Sequence, residues 1–232
     1  MPLRSMISLF AWLLVVLALT STAKSDQGDT ATNQPQAPAG FVVIEEDRWY
    51  LMSDEPGLHI GRAREAFLML DAKTAAAELR KAAVHFRIEA TSGTERMKRR
   101  LIHAEHELEH AAHTIEIGTM KSVEELDLAT ARAMHALSES QYVKATEAWE
   151  KKEVRRAGYF LRATADNLEH AAARTEHRMK ATTAQIARES RAISGNLIEG
   201  TGYVVDEVGL GFEKVGNQLE RVGARVAPPS TK

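Results

Sequence analysis

Slid along itself by 82 residues, the chain meets its own pattern: Arg62 to Thr119 aligns with Lys144 to Thr201 without a gap, and 14 of the 58 aligned positions are identical. The identities include Glu65/Glu147, Ala66/Ala148, Leu79/Leu161, Arg80/Arg162 and Ala83/Ala165. Arg96-Met97-Lys98 also matches Arg178-Met179-Lys180, and Gly118-Thr119 matches Gly200-Thr201. Phe67/Trp149, Asp71/Glu153 and Lys73/Arg155 keep their chemistry. Two units with one pattern must bury the same positions in the same way, which restricts the fold to a tandem of like supersecondary units.

The pattern inside each unit is helical. Aromatic residues make up 6% of the chain and alanine is abundant, a balance that favours close-packed helices over sheet. With 44% hydrophobic residues there is enough apolar material for a core. The expectation is an all-α fold: a tandem duplication of a three-helix unit forming an antiparallel helical bundle or short helical array, plus a C-terminal heptad helix. Repeat 1 is expected over 41–122 and repeat 2 over 123–204. Ser92-Gly93-Thr94-Glu95 reads as a capping box starting a third helix. Ser122-Val123-Glu124-Glu125 reads as another, opening a long helix over roughly 123 to 150. Its counterpart in the first unit is interrupted by Pro56-Gly57, so FVVIEEDRWYLM is expected as a separate short helix or an extended segment.

The N-terminus points to export. Residues 1–23 read as a signal peptide, with Arg4 as the early positive charge, an uncharged Met6 to Thr20, and small Ser21-Thr22-Ala23 at a cleavage site. A periplasmic or secreted protein follows; the alternative is an inner-membrane anchor through an uncleaved segment. Residues 24–40 are polar and rich in Pro, Gly, Gln and Thr, as a flexible linker would be. The absence of cysteine excludes disulfides and a lipid-modified cysteine. Without Arg4, 29 basic residues face 32 acidic ones, which speaks against a nucleic-acid binder.

The hairpins LDAKTAAAELRKAA and KKEVRRAGYFLRAT are similar to tetratricopeptide-type hairpins, with small residues where helices cross, although the period differs from that family's. The segment AREAFLMLDAKTAAAELRKAA, in an exported helical chain, also resembles the YfdX family of exported helical bacterial proteins. That resemblance implies a stress-related role.

Chemistry is concentrated in HAEHELEHAAH. At about 100° per residue, His103, His106, His110 and His113 fall in one sector about 80° wide. His106 and His110 form an i, i+4 pair, and neutral imidazole suits zinc, copper or nickel. The opposite face, Leu101, Ala104, Leu108, Ala111 and Ile115, is expected in the core. The stripe admits three roles: a solvated polar face, a divalent-metal site, or a pH-responsive surface. The aligned positions in repeat 2 are Gln185, Arg188, Ala192 and Gly195, which excludes a symmetric pair of sites. Glu107 to His110 is the one Glu-x-x-His element, short of a ferritin-like centre. Arg96-Met97-Lys98-Arg99-Arg100 is expected as a solvated basic face, and Trp49 and Trp149 as core anchors. With no nucleophile elbow and no phosphate loop, enzymatic activity is not expected.

The chain closes on VGLGFEKVGNQLERVGARV, expected as an amphipathic helix over 205–227 with a disordered 228–232 tail. Val205, Val208, Phe212, Val215, Leu219, Val222 and Val226 step by three and four. Gly209, Gly216 and Gly223 recur at seven, and Gly195 and Gly202 extend the spacing backwards, so the five are expected to form one line along a helix. Each glycine costs about 1 kcal/mol relative to alanine in a helix. A closely approaching backbone has to offset that cost. On the 82-residue register, Val123-Glu124-Glu125-Leu126 lines up with Val205-Asp206-Glu207-Val208, so this helix is a truncated third repeat or cap. Three partners fit its glycine face: the chain's own bundle, a second copy, or a membrane interface. Asp206, Glu207, Glu213, Lys214, Glu220, Arg221 and Arg225 leave its polar face at -1, which is unusual for an interfacial helix.

The sequence thus predicts an exported, non-enzymatic interaction or scaffold protein of the envelope or of stress responses, with a protein partner or self-association through its C-terminal helix and no cofactor. The alternative is a divalent-metal-binding or pH-responsive protein using the histidine stripe.

Overall fold

The computed structural model describes residues 55–173 and 177–227. The expected signal peptide and linker, FVVIEEDRWYLM with Trp49, and the 228–232 tail lie outside the described residues. Within them the protein is an all-α bundle of seven helices: α1 Glu55–Leu68, α2 Ala72–Ala90, α3 Glu95–Glu116, α4 Val123–Glu150, α5 Val154–Ala172, α6 His177–Glu199 and α7 Val205–Val226. No described helix is long and apolar enough to cross a membrane.

Helix starts at Ala72 and Val154, Glu95 and His177, and Val123 and Val205 are each 82 residues apart. The turns repeat at the same interval down to single hydrogen bonds. Leu70 N donates to Phe67 O and Asp71 N to Ala66 O; Lys152 N donates to Trp149 O and Glu153 N to Ala148 O. Leu70 and Lys152 both sit in the left-handed region, at φ 60° and 64°. That conformation costs an L-residue about 1 kcal/mol or more, so the turn's hydrogen bonds and the packing beside it must hold it in place. Gly118 closes α3 at φ 68° and Gly200 closes α6 at φ 72°.

One local expectation requires correction. The cap of α3 is Thr94, whose extended backbone lets its hydroxyl accept from Met97 N, whereas Ser92 Oγ turns back to Glu89 O. Pro56-Gly57 lies in the first turn of α1, where proline has no intrahelical hydrogen bond to lose. Ser122 does cap α4, accepting from Glu125 N at 3.3 Å, while Glu125 Oε2 accepts from Lys121 N.

At 28 residues, or about 42 Å, α4 is the longest of the described helices. It packs against α1, α3, α5 and α7. Its sequence lacks a single apolar face because it is enclosed from several sides; even Ser138, Ser140, Gln141 and His135 are buried. Ser138 Oγ answers this by donating to Thr164 O on α5 at 2.8 Å, and Ser140 Oγ donates to Glu89 Oε1 on α2 at 2.8 Å. Small residues set the helix separations. Ala75, Ala76, Ala82 and Ala83 on α2 are fully buried. At Gly158 on α5, the register equivalent of Ala76, a Cβ would lie 2.9 Å from Ser194 O of α6.

Candidate functional site

The apolar stripe of α7 is turned inward. Val208, Phe212, Val215, Leu219, Val222 and Val226 are buried, and α7 packs on α4, α5 and α6. Val205, at the helix start, is 60% exposed. Trp149 is packed edge-on against Tyr203 at 6.1 Å and lies 6.3 Å from Phe212, partly covering the start of the same helix. On the far side of α7, Gln218 is buried and its Nε2 donates to Thr183 Oγ1 of α6 at 2.8 Å.

The glycines divide by what lies above them. At Gly216 a Cβ would stand 2.8 Å from Tyr142 Oη, and at Gly223 it would stand 2.7 Å from His135 Cε1 and Nε2. Both rings come from α4 and are themselves seven residues apart, matching the seven between the glycines. Each ring then reaches a carbonyl four residues before its glycine: Tyr142 Oη donates to Phe212 O at 3.1 Å, and His135 Nε2 lies 2.9 Å from Leu219 O. In a helix the oxygen of residue i−4 already accepts from N–H of residue i, and the Cβ of residue i flanks it. Glycine at i removes that cover, and a ring donor can reach the oxygen's second lone pair. The bond to Leu219 O requires the proton of His135 to sit on Nε2.

The line of five glycines, by contrast, is not one line. Gly195 belongs to α6 and Gly202 to the α6–α7 turn at φ 71°. Around Gly195 and Gly209 nothing lies within 4 Å of a Cβ position. The chain reverses between α6 and α7, so the seven-residue spacing across the turn carries no common face.

Docking of α7 builds the third wall of a cleft of about 710 Å³. Each wall is a stripe at i, i+3, i+4, i+7. From α3 come Arg96, Arg99, Arg100 and His103, and from α4 come Arg132, His135, Ala136 and Glu139. The tail supplies Glu220, Gly223, Ala224 and Ala227. Two of the cleft's glutamates are neutralised locally. Arg132 Nε donates to Glu107 Oε1 at 2.8 Å, and Arg100 Nη2 lies 2.7 Å from Glu139 Oε2. Arg96 and Arg99 are exposed, and among the described residues neither meets a carboxylate. Burial pushes the Tyr142 hydroxyl above its ordinary range, and the Glu220 charge adds to the shift.

The stripe His103, His106, His110 and His113 is exposed along α3, and Leu101, Ala104, Leu108, Ala111 and Ile115 on the other side are buried. His103 Nδ1 stands 3.8 Å from Glu107 Oε2. Among the described residues no group of three or more His, Asp or Glu side chains is arranged to hold a metal ion. The structure brings together a second pair of imidazoles that the sequence reading passed over. His59 and His85 have ring centroids 5.9 Å apart; His59 Nδ1 lies 2.6 Å from Glu78 Oε2, and His85 Nε2 lies 3.3 Å from Glu55 Oε2. Burial holds the His85 ring below its ordinary value; the neighbouring His59 adds to the shift and Glu55 opposes it.

Arg132, His135, Glu139 and Tyr142 also escaped the sequence reading. Their one signal was the i, i+3, i+4, i+7 spacing of Arg132, His135, Ala136 and Glu139, inside a helix without a polar side. Comparison of the chain with protein-family models, with curated proteins and with solved structures finds no match.

Proposed function

We propose that this chain is an exported, non-enzymatic helical interaction protein whose recognition surface is the cleft between α3, α4 and α7. The observation that carries the reading is the convergence of three helix stripes on one concavity of about 710 Å³, within the size range of ligand and partner sites. Its charged groups are four arginines and three glutamates, with Arg100 paired to Glu139 and Arg132 to Glu107, a pattern suited to binding and positioning rather than to proton transfer. The inward-facing stripe of α7 favours a structural role for the tail, with partners meeting the outer surface and the cleft.

The test is photo-crosslinking in cells, with the crosslinker placed at Ala224 on the cleft wall or at Lys73 in the first turn of α2. A partner captured from the envelope fraction at Ala224 and not at Lys73 supports the reading. Equal capture at both sites refutes the cleft, and a chain recovered wholly in the cytoplasmic fraction refutes export.

A second reading, divalent-metal binding or pH response by the histidine stripe, is favoured by the exposure of all four imidazoles on one helix face. Zinc titration checks it: binding weaker than about 0.1 mM, or unaltered by His106→Ala and His110→Ala, removes it.

A further inference from the structure

The cleft's own chemistry narrows what it accepts. Arg96, Arg99 and Arg100 share one face of α3, so three guanidinium groups repel one another along a single ridge. Arg100 finds Glu139, while Arg96 and Arg99 find no carboxylate among the described residues. Glu107 is held by Arg132 and cannot turn to them without breaking that bond. The remaining acid, Glu220, stands on the tail's wall. Paired guanidinium groups present their N–H forks to a planar or tetrahedral oxyanion.

The cleft is also larger than an oxyanion. A bare carboxylate or phosphate would leave most of the roughly 710 Å³ to water, whose share of liquid volume is about 30 Å³ per molecule. Besides its arginines, its three glutamates and the rings of His103 and His135, the lining is short and apolar: Ala104 and Ala136 on α3 and α4, Ala224 and Val226 on the tail. Such a surface gains by covering carbon.

We propose that the cleft binds a small amphipathic monoanion, its oxyanion head held between Arg96 and Arg99 and its apolar body lying over Ala104, Ala136, Ala224 and Val226. The inference rests on the cleft being the recognition surface and names its ligand class. Because α7 supplies one wall, the bound molecule also tethers the tail to α3 and α4.

The probe is sodium decanoate, titrated calorimetrically into the full-length chain, with sodium acetate and decanol as head-only and body-only controls. Decanoate should bind with a dissociation constant below about 0.1 mM and at least tenfold more tightly than either control. Arg96→Ala combined with Arg99→Ala should weaken it by about tenfold or more, while Glu220→Gln, which removes the one unneutralised acid, should tighten it. All three side chains are exposed, and opposite changes in two folded variants, checked by circular dichroism, separate charge from damage to the fold. The proposal is overturned if decanol binds as well as decanoate, if acetate does, or if the arginine variant binds decanoate unchanged. Binding to phosphatidylglycerol vesicles without binding of free decanoate also overturns it, since the site then reads a bilayer surface. A partner crosslinked at Ala224 with no decanoate binding refutes this inference and leaves the protein-interaction reading standing; decanoate binding with no captured partner does the reverse.

Discussion

Gly209 and Gly223 occupy the same heptad position of one helix, yet alanine should act on them with opposite sign. At Gly209 a Cβ meets nothing within 4 Å, so Gly209→Ala should gain the full helix-propensity difference of about 1 kcal/mol. At Gly223 the same gain is opposed by His135, whose Cε1 and Nε2 lie 2.7 Å from the new atom and whose ring is buried. Moving the ring costs about 1–3 kcal/mol in repacking, and separating its buried N–H from Leu219 O costs a further 1–3 kcal/mol or so. The net expectation for Gly223→Ala is a loss of about 2 kcal/mol. For a domain of this size, 1 kcal/mol moves the melting temperature by about 2–4 °C. Thermal unfolding followed by circular dichroism should therefore show Gly209→Ala rising by about 2–4 °C and Gly223→Ala falling by about 4–8 °C. The decisive arm is the double substitution. In a His135→Ala background nothing presses on residue 223, and Leu219 O keeps its helical N–H, so Gly223→Ala should turn stabilising. If Gly223→Ala raises the melting temperature in the unmodified chain as much as Gly209→Ala does, the ring-in-gap account of the tail is wrong.

Three further outcomes follow from the same geometry. Gly158→Ala places a Cβ 2.9 Å from both Ser194 O and Leu197 Cβ, and a backbone carbonyl cannot swing aside as a side chain can; the urea midpoint should fall by the equivalent of about 2 kcal/mol with an unchanged slope. Leu70→Gly relieves a left-handed backbone at a side chain 92% exposed, so stability should rise by about 1 kcal/mol in the same assay. His85 gives a pH dependence: its folded value lies below the unfolded 6.5, so the unfolded chain takes up the proton first. The stability it contributes is complete above about pH 6.5 and is lost as pH falls from there through the folded value. His85→Asn, which copies Asn167 at the aligned position, should flatten the stability profile as pH falls below about 6.5, and an unchanged slope there would exclude His85 as its source.

What could be seen in the sequence was whatever repeats or caps locally. Ser122 announced the start of α4 because the capping serine and Glu125 are three residues apart and their bonds are local. The same motif misled at Ser92, where Thr94 rather than Ser92 has the extended backbone that a cap needs. The core face of α3 was visible because that helix has one polar side. For α4, enclosed by four neighbours, periodicity held no direction, and nothing along the chain marked His135 and Tyr142 as the rings that fill the tail's gaps. The basic run at Arg96 looked like a solvated face because its counterparts, Arg132 and Glu220, lie on helices that meet it only after the chain has folded back.

That fold-back joins two features that looked separate in the sequence. Rings at 135 and 142 run along α4 at the spacing of glycines 223 and 216 along α7, in opposite order, so one antiparallel register seats both. A slip of one helical turn would set both rings against side chains instead of gaps. The register that places His135 over Gly223 also brings Ala224 and Glu220 into one cleft with Arg96 and Arg99. The cleft's third wall therefore has the stability of the tail's docking. A substitution that loosens the tail, such as Gly223→Ala, should weaken cleft binding without touching an arginine, whereas Gly209→Ala should leave it intact or tighten it. Losing Arg96 and Arg99 should weaken binding at constant melting temperature. If binding and melting temperature moved together in all of these variants, including the arginine pair, the arginines would belong to the tail's docking and not to a ligand's.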